Sequence, residues 1–170
     1  MPKNWLWNKL KIRMIPTFNI PEALHYIVAN HKHFVEKVCD TGIVYTLKNE
    51  EGYVSAPCHL MEDDESLPFD KLCFWSDRDL AASCITEEWQ DCTIDAIPLS
   101  DFIEKWCVGM SSEDLIAGTE ASVEGIGFEI DPLELVLQLA EQLKLTGKQI
   151  ELQQYGTLND LVRQIRGIIS

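Results

Sequence analysis

Four groups of residues in this chain carry side chains able to do chemistry. His31 and His33 stand two apart, with Cys39 downstream; Cys58 and His59 are adjacent; Glu62, Asp63, Asp64 and Glu65 form an acidic run; and Trp75, Ser76, Asp77 and Arg78 close an apolar stretch. Imidazole and thiolate are the ligands zinc selects. A cysteine beside a base is a potential nucleophile. Closely spaced carboxylates suit Ca²⁺ or Mg²⁺. A strand-to-helix junction that carries an arginine suits an anion.

Each group also has a plainer reading. A helix turns about 100° per residue, so His31 and His33 point roughly 200° apart and do not share an ion, which needs spacing of three or four. His31 sits on an apolar stripe and reads as a hydrogen-bonded core histidine. Nucleophilic cysteines need a base and a positive setting, yet Cys39, Cys58, Cys73, Cys84, Cys92 and Cys107 all lie in apolar patterns and none forms a CxxC. They read as reduced thiols buried as small hydrophobes, with Cys58 the best placed of them for reaction. The run Glu62–Glu65 lacks the alternating Asp/Asn-Gly pattern of a Ca²⁺ loop and reads as a solvated loop, a natural part of an acidic partner surface. At the junction, Arg78 can support a bound carboxylate or phosphate, or bridge to a neighbouring acid. The structural alternative puts Trp75 and Trp106 in the core and Arg78 in an ion pair. No GxSxG, Walker loop or dinucleotide pattern occurs, and Gly125-x-Gly127 reads as a hairpin feature. No metal, cofactor or catalytic set is expected.

The elements that must position these groups follow from periodicity and punctuation. The central unit is Leu67 to Leu99: a strand buried in its second half, a helix Asp77–Ile85 capped by Ser76 and burying Leu80, Ala81 and Cys84, and a strand Cys92–Leu99. Before it, a helix starts at Asn19-Ile20-Pro21-Glu22 and stops at Asp40-Thr41-Gly42. A hairpin joins Ile43–Lys48 to Tyr53–Cys58, and an acidic loop covers Met61–Ser66. After it, Ser100 caps a short helix Asp101–Trp106. A second hairpin joins Glu113–Ser122 to Gly125–Ile130. Asp131-Pro132 starts a helix that ends at Thr146-Gly147. Lys148–Tyr155 alternates like one more strand, and Thr157 caps a last amphipathic helix.

Charge narrows the functions. The net charge is -14, with 28 acids and 14 bases. Lys3, Lys9, Lys11 and Arg13 all precede the first acid, Glu22, so the remainder carries about -18. Such a body disfavours phosphate-backbone binding and anionic membranes, and favours basic protein partners. No apolar run approaches the length of a membrane span or of a signal segment, which points to a cytoplasmic protein.

From about residue 30 to 143 the chain resembles a bacterial family catalogued as domain of unknown function 2750. The likeness rests on the helix ending in a Gly turn, IVYTLKNEEGYV, LPFDKLCFWSDRDLAASC followed by EEW, IDAIPLSDFIEKW, GIGFEIDP and the helix beginning at Pro132. It implies a compact α/β module with no assigned activity and no known catalytic set. A looser likeness is to bacterial enhanced-serine-sensitivity-type proteins.

The resulting expectation is one α+β domain: a mainly antiparallel sheet of five or six strands with helices packed against it. A basic apolar arm (1–19) and a C-terminal strand and helix (147–170) flank a family-like core (20–146), and either flank offers a surface for a homodimer. The first expected function is a non-catalytic acidic binding protein acting on a basic partner, in the manner of an immunity protein. The second is a small-ligand or anion-binding regulatory module at Trp75–Arg78, and the third an enzyme.

Overall fold

A computed structural model describes residues 11–12 and 20–169. Apart from Lys11 and Ile12, the basic arm lies outside the described residues, and so does the dimerisation expected through it. Helix α1 (Ile20–Thr41) ends as its sequence dictates. Gly42 takes φ +77° and returns its N–H to the Val38 carbonyl at 2.8 Å, a left-handed stop that L side chains rarely adopt. Its inward stripe is His31, Phe34, Val35, Val38 and Cys39.

The strands are β1 (Lys11–Ile12), β2 (Ile43–Asn49), β3 (Gly52–Tyr53), β4 (Ser55–Glu62), β5 (Pro68–Phe74), β6 (Thr93–Pro98), β7 (Ile116–Thr119) and β8 (Phe128–Ile130). They form two sheets, in the orders β1-β4-β5-β7-β8 and β3-β2-β6, which corrects the expected single sheet. All pairs are antiparallel except β5 with β7, which runs parallel from Lys71↔Ile116 to Phe74↔Thr119. The sheets touch at one bridge, where Tyr45 and Trp75 exchange backbone hydrogen bonds of 2.8 and 2.9 Å.

The division follows from where strand side chains go. Successive residues of a strand face opposite ways. On β5 and its extension, Phe74 enters the main core while Cys73 and Trp75 enter a second cluster with Leu47, Val54, Ala81, Cys84, Cys92 and Ala121. Both faces are covered, so the strand reads as a continuous apolar run. The first expected hairpin is correspondingly short: β3 pairs with β2 only at Tyr53 and Gly52, and Ser55 already belongs to the other sheet.

Helix α2 (Arg78–Ser83) is shorter than expected and is capped by Asp77, not Ser76: the Asp77 carboxylate accepts from the Asp79 N–H at 2.8 Å. Ala81 and Cys84 are buried as expected, whereas Leu80 stays 42% exposed. Glu87–Trp89 forms a 3-10 turn. Helix α3 joins Leu99–Asp101, a π-helical turn Phe102–Cys107 and Val108–Ser112, with Pro98 at its cap. It outruns the expected helix because the π turn buries Phe102, Ile103, Glu104 and Cys107 together. Helix α4 (Pro132–Leu145) has the expected Asp131 cap, accepting from Leu133 and Glu134 N–H.

The tail 148–155 is no strand. Its backbone finds a side chain instead of a ladder: Glu104, 1% exposed, accepts N–H bonds from Gln153 and Gln154 at 2.9–3.0 Å. Thr157 then starts α5 (Leu158–Ile169) with a reciprocal box, its hydroxyl taking the Asp160 N–H and Asp160 taking its own. Leu161 and Ile165 are buried against the body, whereas Ile168 on the same stripe stays exposed.

Candidate functional site

The expected chemistry is dispersed. His31 is the core histidine its stripe implied, 6% exposed. Gln138 Oε1 can only accept, so His31 donates from Nε2 at 2.6 Å and accepts the Thr119 hydroxyl on Nδ1 at 2.8 Å. Its ring stacks on Phe128 at 4.0 Å. Burial holds its pKa below the ordinary value. His33 lies exposed on another face of α1. All six thiols are free and buried. Burial pushes Cys73 up to about 11 and Cys39 up to about 12, and also raises Cys58 and Cys107 well above the ordinary thiol value. A thiol so held is no nucleophile at neutral pH. Among the described residues no three His, Cys, Asp or Glu side chains are grouped to hold a metal ion. No described helix is long and apolar enough to cross a membrane.

The acidic run is shorter as a loop than expected, because β4 continues to Glu62. Asp63 organises it, accepting N–H bonds from Glu65 and Leu67 at 2.9 and 3.0 Å. Asp64 and Glu65 lie exposed. At the junction, Trp75 is fully buried and donates its indole N–H to the Ala121 carbonyl at 2.9 Å. Ser76 gives both its N–H (2.6 Å) and its hydroxyl (2.9 Å) to Glu120. Asp77 caps α2 and pairs with Lys37 at 2.6 Å. Arg78 is exposed. The anion-seeking groups of this junction therefore already face carboxylates of the chain itself.

A further group centres on two residues that the sequence did not single out. Lys71 and Glu129 are both completely buried and 2.8 Å apart. The Lys71 ammonium also donates to the Gly125 carbonyl at 2.7 Å and lies 3.2 Å from His59 Nδ1. Lysine only donates, so that ring nitrogen accepts and the His59 proton sits on Nε2. Burial, then the ammonium, lower the His59 pKa, with Glu129 opposing. Gly118 makes room for this arrangement, since a Cβ there would lie 3.1 Å from Lys71 Cδ.

Glu129 does more than balance a charge. The β4–β5 register slips between Pro57 and Glu62, leaving the N–H groups of His59, Leu60 and Met61 for the Glu129 carboxylate at 2.7, 2.8 and 3.1 Å. In the sheet order, β5 and β7 separate β4 from β8, about 14 Å across if flat. A glutamate cannot span that, so the sheet curls and Glu129 closes it. The available signal was Lys71 itself, on the same face of β5 as Cys73 and Trp75: a lysine at an inward strand position demands a buried acid.

One cleft, of about 410 Å³, opens between the first half of α1 and the connection after β7. Tyr26, Ile27 and Asn30 form one wall; Glu120, Glu124 and Phe128 stand on the other. None of its lining residues is Lys, Arg or His. Gly127 lets the second wall pass close to β7, since a Cβ there would lie 2.6 Å from the Thr119 carbonyl. Glu120 has φ +52°. Burial raises its pKa, while the Ser76 bonds and then the nearby His33 pull it back.

Compared with known proteins, residues 31–139 match a family described as Protein of unknown function (DUF2750). No curated protein and no solved structure matches the chain. The match spans more than half of the sequence, from His31 in α1 to Leu139 in α4, and the chain belongs to the DUF2750 family.

Proposed function

We propose that this protein is a non-catalytic binding protein that holds a basic protein partner against its acidic surface, in the manner of an immunity protein. The observation that carries this is the placement of charge. Among the described residues the buried carboxylates are Glu104, Glu129 and Asp131, so most of the 28 acids lie at or near the surface. Such a surface steers and orients a basic partner. Two further facts support the reading. The thiols are sequestered, and the Lys71 ammonium has acceptors in Glu129, Gly125 and His59, so neither is presented to a substrate. A cytoplasmic location accompanies this proposal.

The test is capture from lysate at about 50 mM and about 500 mM salt, where the screening length falls severalfold. A basic protein retained at low salt and released at high salt supports the proposal. Capture indifferent to salt, or of no basic protein, overturns it. The small-ligand or anion-binding reading at Trp75–Arg78 rests on the exposed Arg78. It takes second place because Ser76 and the α2 start serve Glu120 and Asp77. An Arg78→Ala variant that loses thermal stabilisation by phosphate would promote it.

A further inference from the structure

We propose that the cleft between α1 and the β7–β8 connection is a receptor for a single cationic side chain, the lysine or arginine of a basic protein partner. This rests on the binding function proposed above and names the place where it is concentrated.

The cleft has the attributes such a side chain needs. Its volume of about 410 Å³ is within the range of small-ligand sites. Its walls present two aromatic rings, Tyr26 and Phe128, which attract a cation at their faces and the alkyl stem at their edges. Phe128 is held in place by its stack on His31. Glu120 and Glu124 supply two carboxylates, and no lining residue supplies a cation. Asn30 and Ser122 add neutral hydrogen-bonding groups. The rim is apolar: Tyr26 is 68% exposed and nearby Val123 53% exposed, surface that a protein partner would cover. Glu120 is raised by burial, so an incoming cation would relieve the cost of ionising it. An anion would meet the opposite field, and a neutral ligand would leave the negative charge of the cleft unbalanced.

The probe is Nα-acetyl-arginine amide, titrated into the full chain and followed by amide chemical shifts, with uncharged Nα-acetyl-norleucine amide as control. Saturable shifts confined to residues 26–30 and 119–128, absent with the control, support the proposal. Glu124→Gln and Tyr26→Ala are exposed substitutions that leave the fold intact, and each should weaken binding by about fivefold. Shifts scattered over the acidic surface, or equal with the control, overturn it. So does binding seen only after Lys3, Lys9, Lys11 and Arg13 are all changed to Gln, because the chain's own basic segment is then the occupant. The failures separate cleanly. Salt-sensitive capture of a basic protein that is undiminished in Glu124→Gln and in Tyr26→Ala refutes the cleft and leaves the acidic surface. Arginine amide bound in the cleft without any such capture refutes the partner.

Discussion

Glu120 and Glu129 flank the same connection, one at its start and one just after its end, yet they are answered differently. Glu129 is fully buried and meets a cation from within the chain: Lys71 at 2.8 Å, plus three backbone N–H groups of the β4 bulge. Glu120 is half-buried, accepts both Ser76 donors, feels His33 and Lys37 only through space, and lines a cleft whose walls hold no Lys, Arg or His. A carboxylate that the fold needs must be neutralised inside, because an uncompensated charge in a low dielectric is costly. One left at an open cleft can wait for a cation from outside. The difference separates groups that build this molecule from groups available for binding.

The sharpest way to break the comparison is to remove the internal partner. Lys71→Met should cost about 3–5 kcal/mol, because Glu129 is left buried and unpaired. In urea unfolding, Lys71→Met combined with Glu129→Gln should recover part of that loss, since Gln keeps an acceptor for the bulge and carries no charge. If the double variant is no better than the sum of the singles, the pair is not coupled. Next in size is Glu104→Ala, which strands the Gln153 and Gln154 N–H groups. It should cost about 1.5–3 kcal/mol and speed amide exchange at those two residues above all others.

A smaller effect comes from pH. Burial holds the pKa values of His31 and His59 below the ordinary imidazole value of 6.5. The unfolded chain thus binds their protons first, so stability is full above about pH 6.5 and is lost as pH falls toward the folded values. The urea midpoint should drop between about pH 7.5 and about pH 5.5, and His59→Gln should flatten that slope. A midpoint that rises on acidification would contradict the assigned neutral tautomers. The smallest effect on folding belongs to the surface. Asp64→Asn with Glu65→Gln should leave the unfolding midpoint unchanged and still reduce salt-sensitive capture of a basic partner. Unchanged capture would remove that loop from the binding surface.

What the sequence made legible was local. The Gly42 stop, the Asp131-Pro132 start, the buried β5 and the core role of His31 each depend on neighbours within a turn or on one periodicity. What it hid was long-range. Lys71 and Glu129 are 58 residues apart and Glu104 and Gln153 are 49 apart; nothing in either neighbourhood names the other. Alternation misled at 148–155 because Ile150 and Leu152 do face the body while the backbone bonds to a carboxylate instead of a strand. The split into two sheets turned on a single residue, Trp75, whose indole fills the second cluster while its backbone makes the one bridge. The cleft draws on residues nearly a hundred positions apart, Tyr26 and Glu120 among them.

The most direct measurement of the central claim is a titration of the Glu120 side-chain carboxyl by carbon NMR, with and without Nα-acetyl-arginine amide. Alone, Glu120 should titrate above the ordinary glutamate value of 4.5, and the added cation should draw its midpoint down while the Glu129 carboxyl signal stays where it is. A Glu120 midpoint indifferent to the arginine amide, or an equal response at Glu129, would contradict the division between an interior that balances itself and a cleft that awaits a partner's charge.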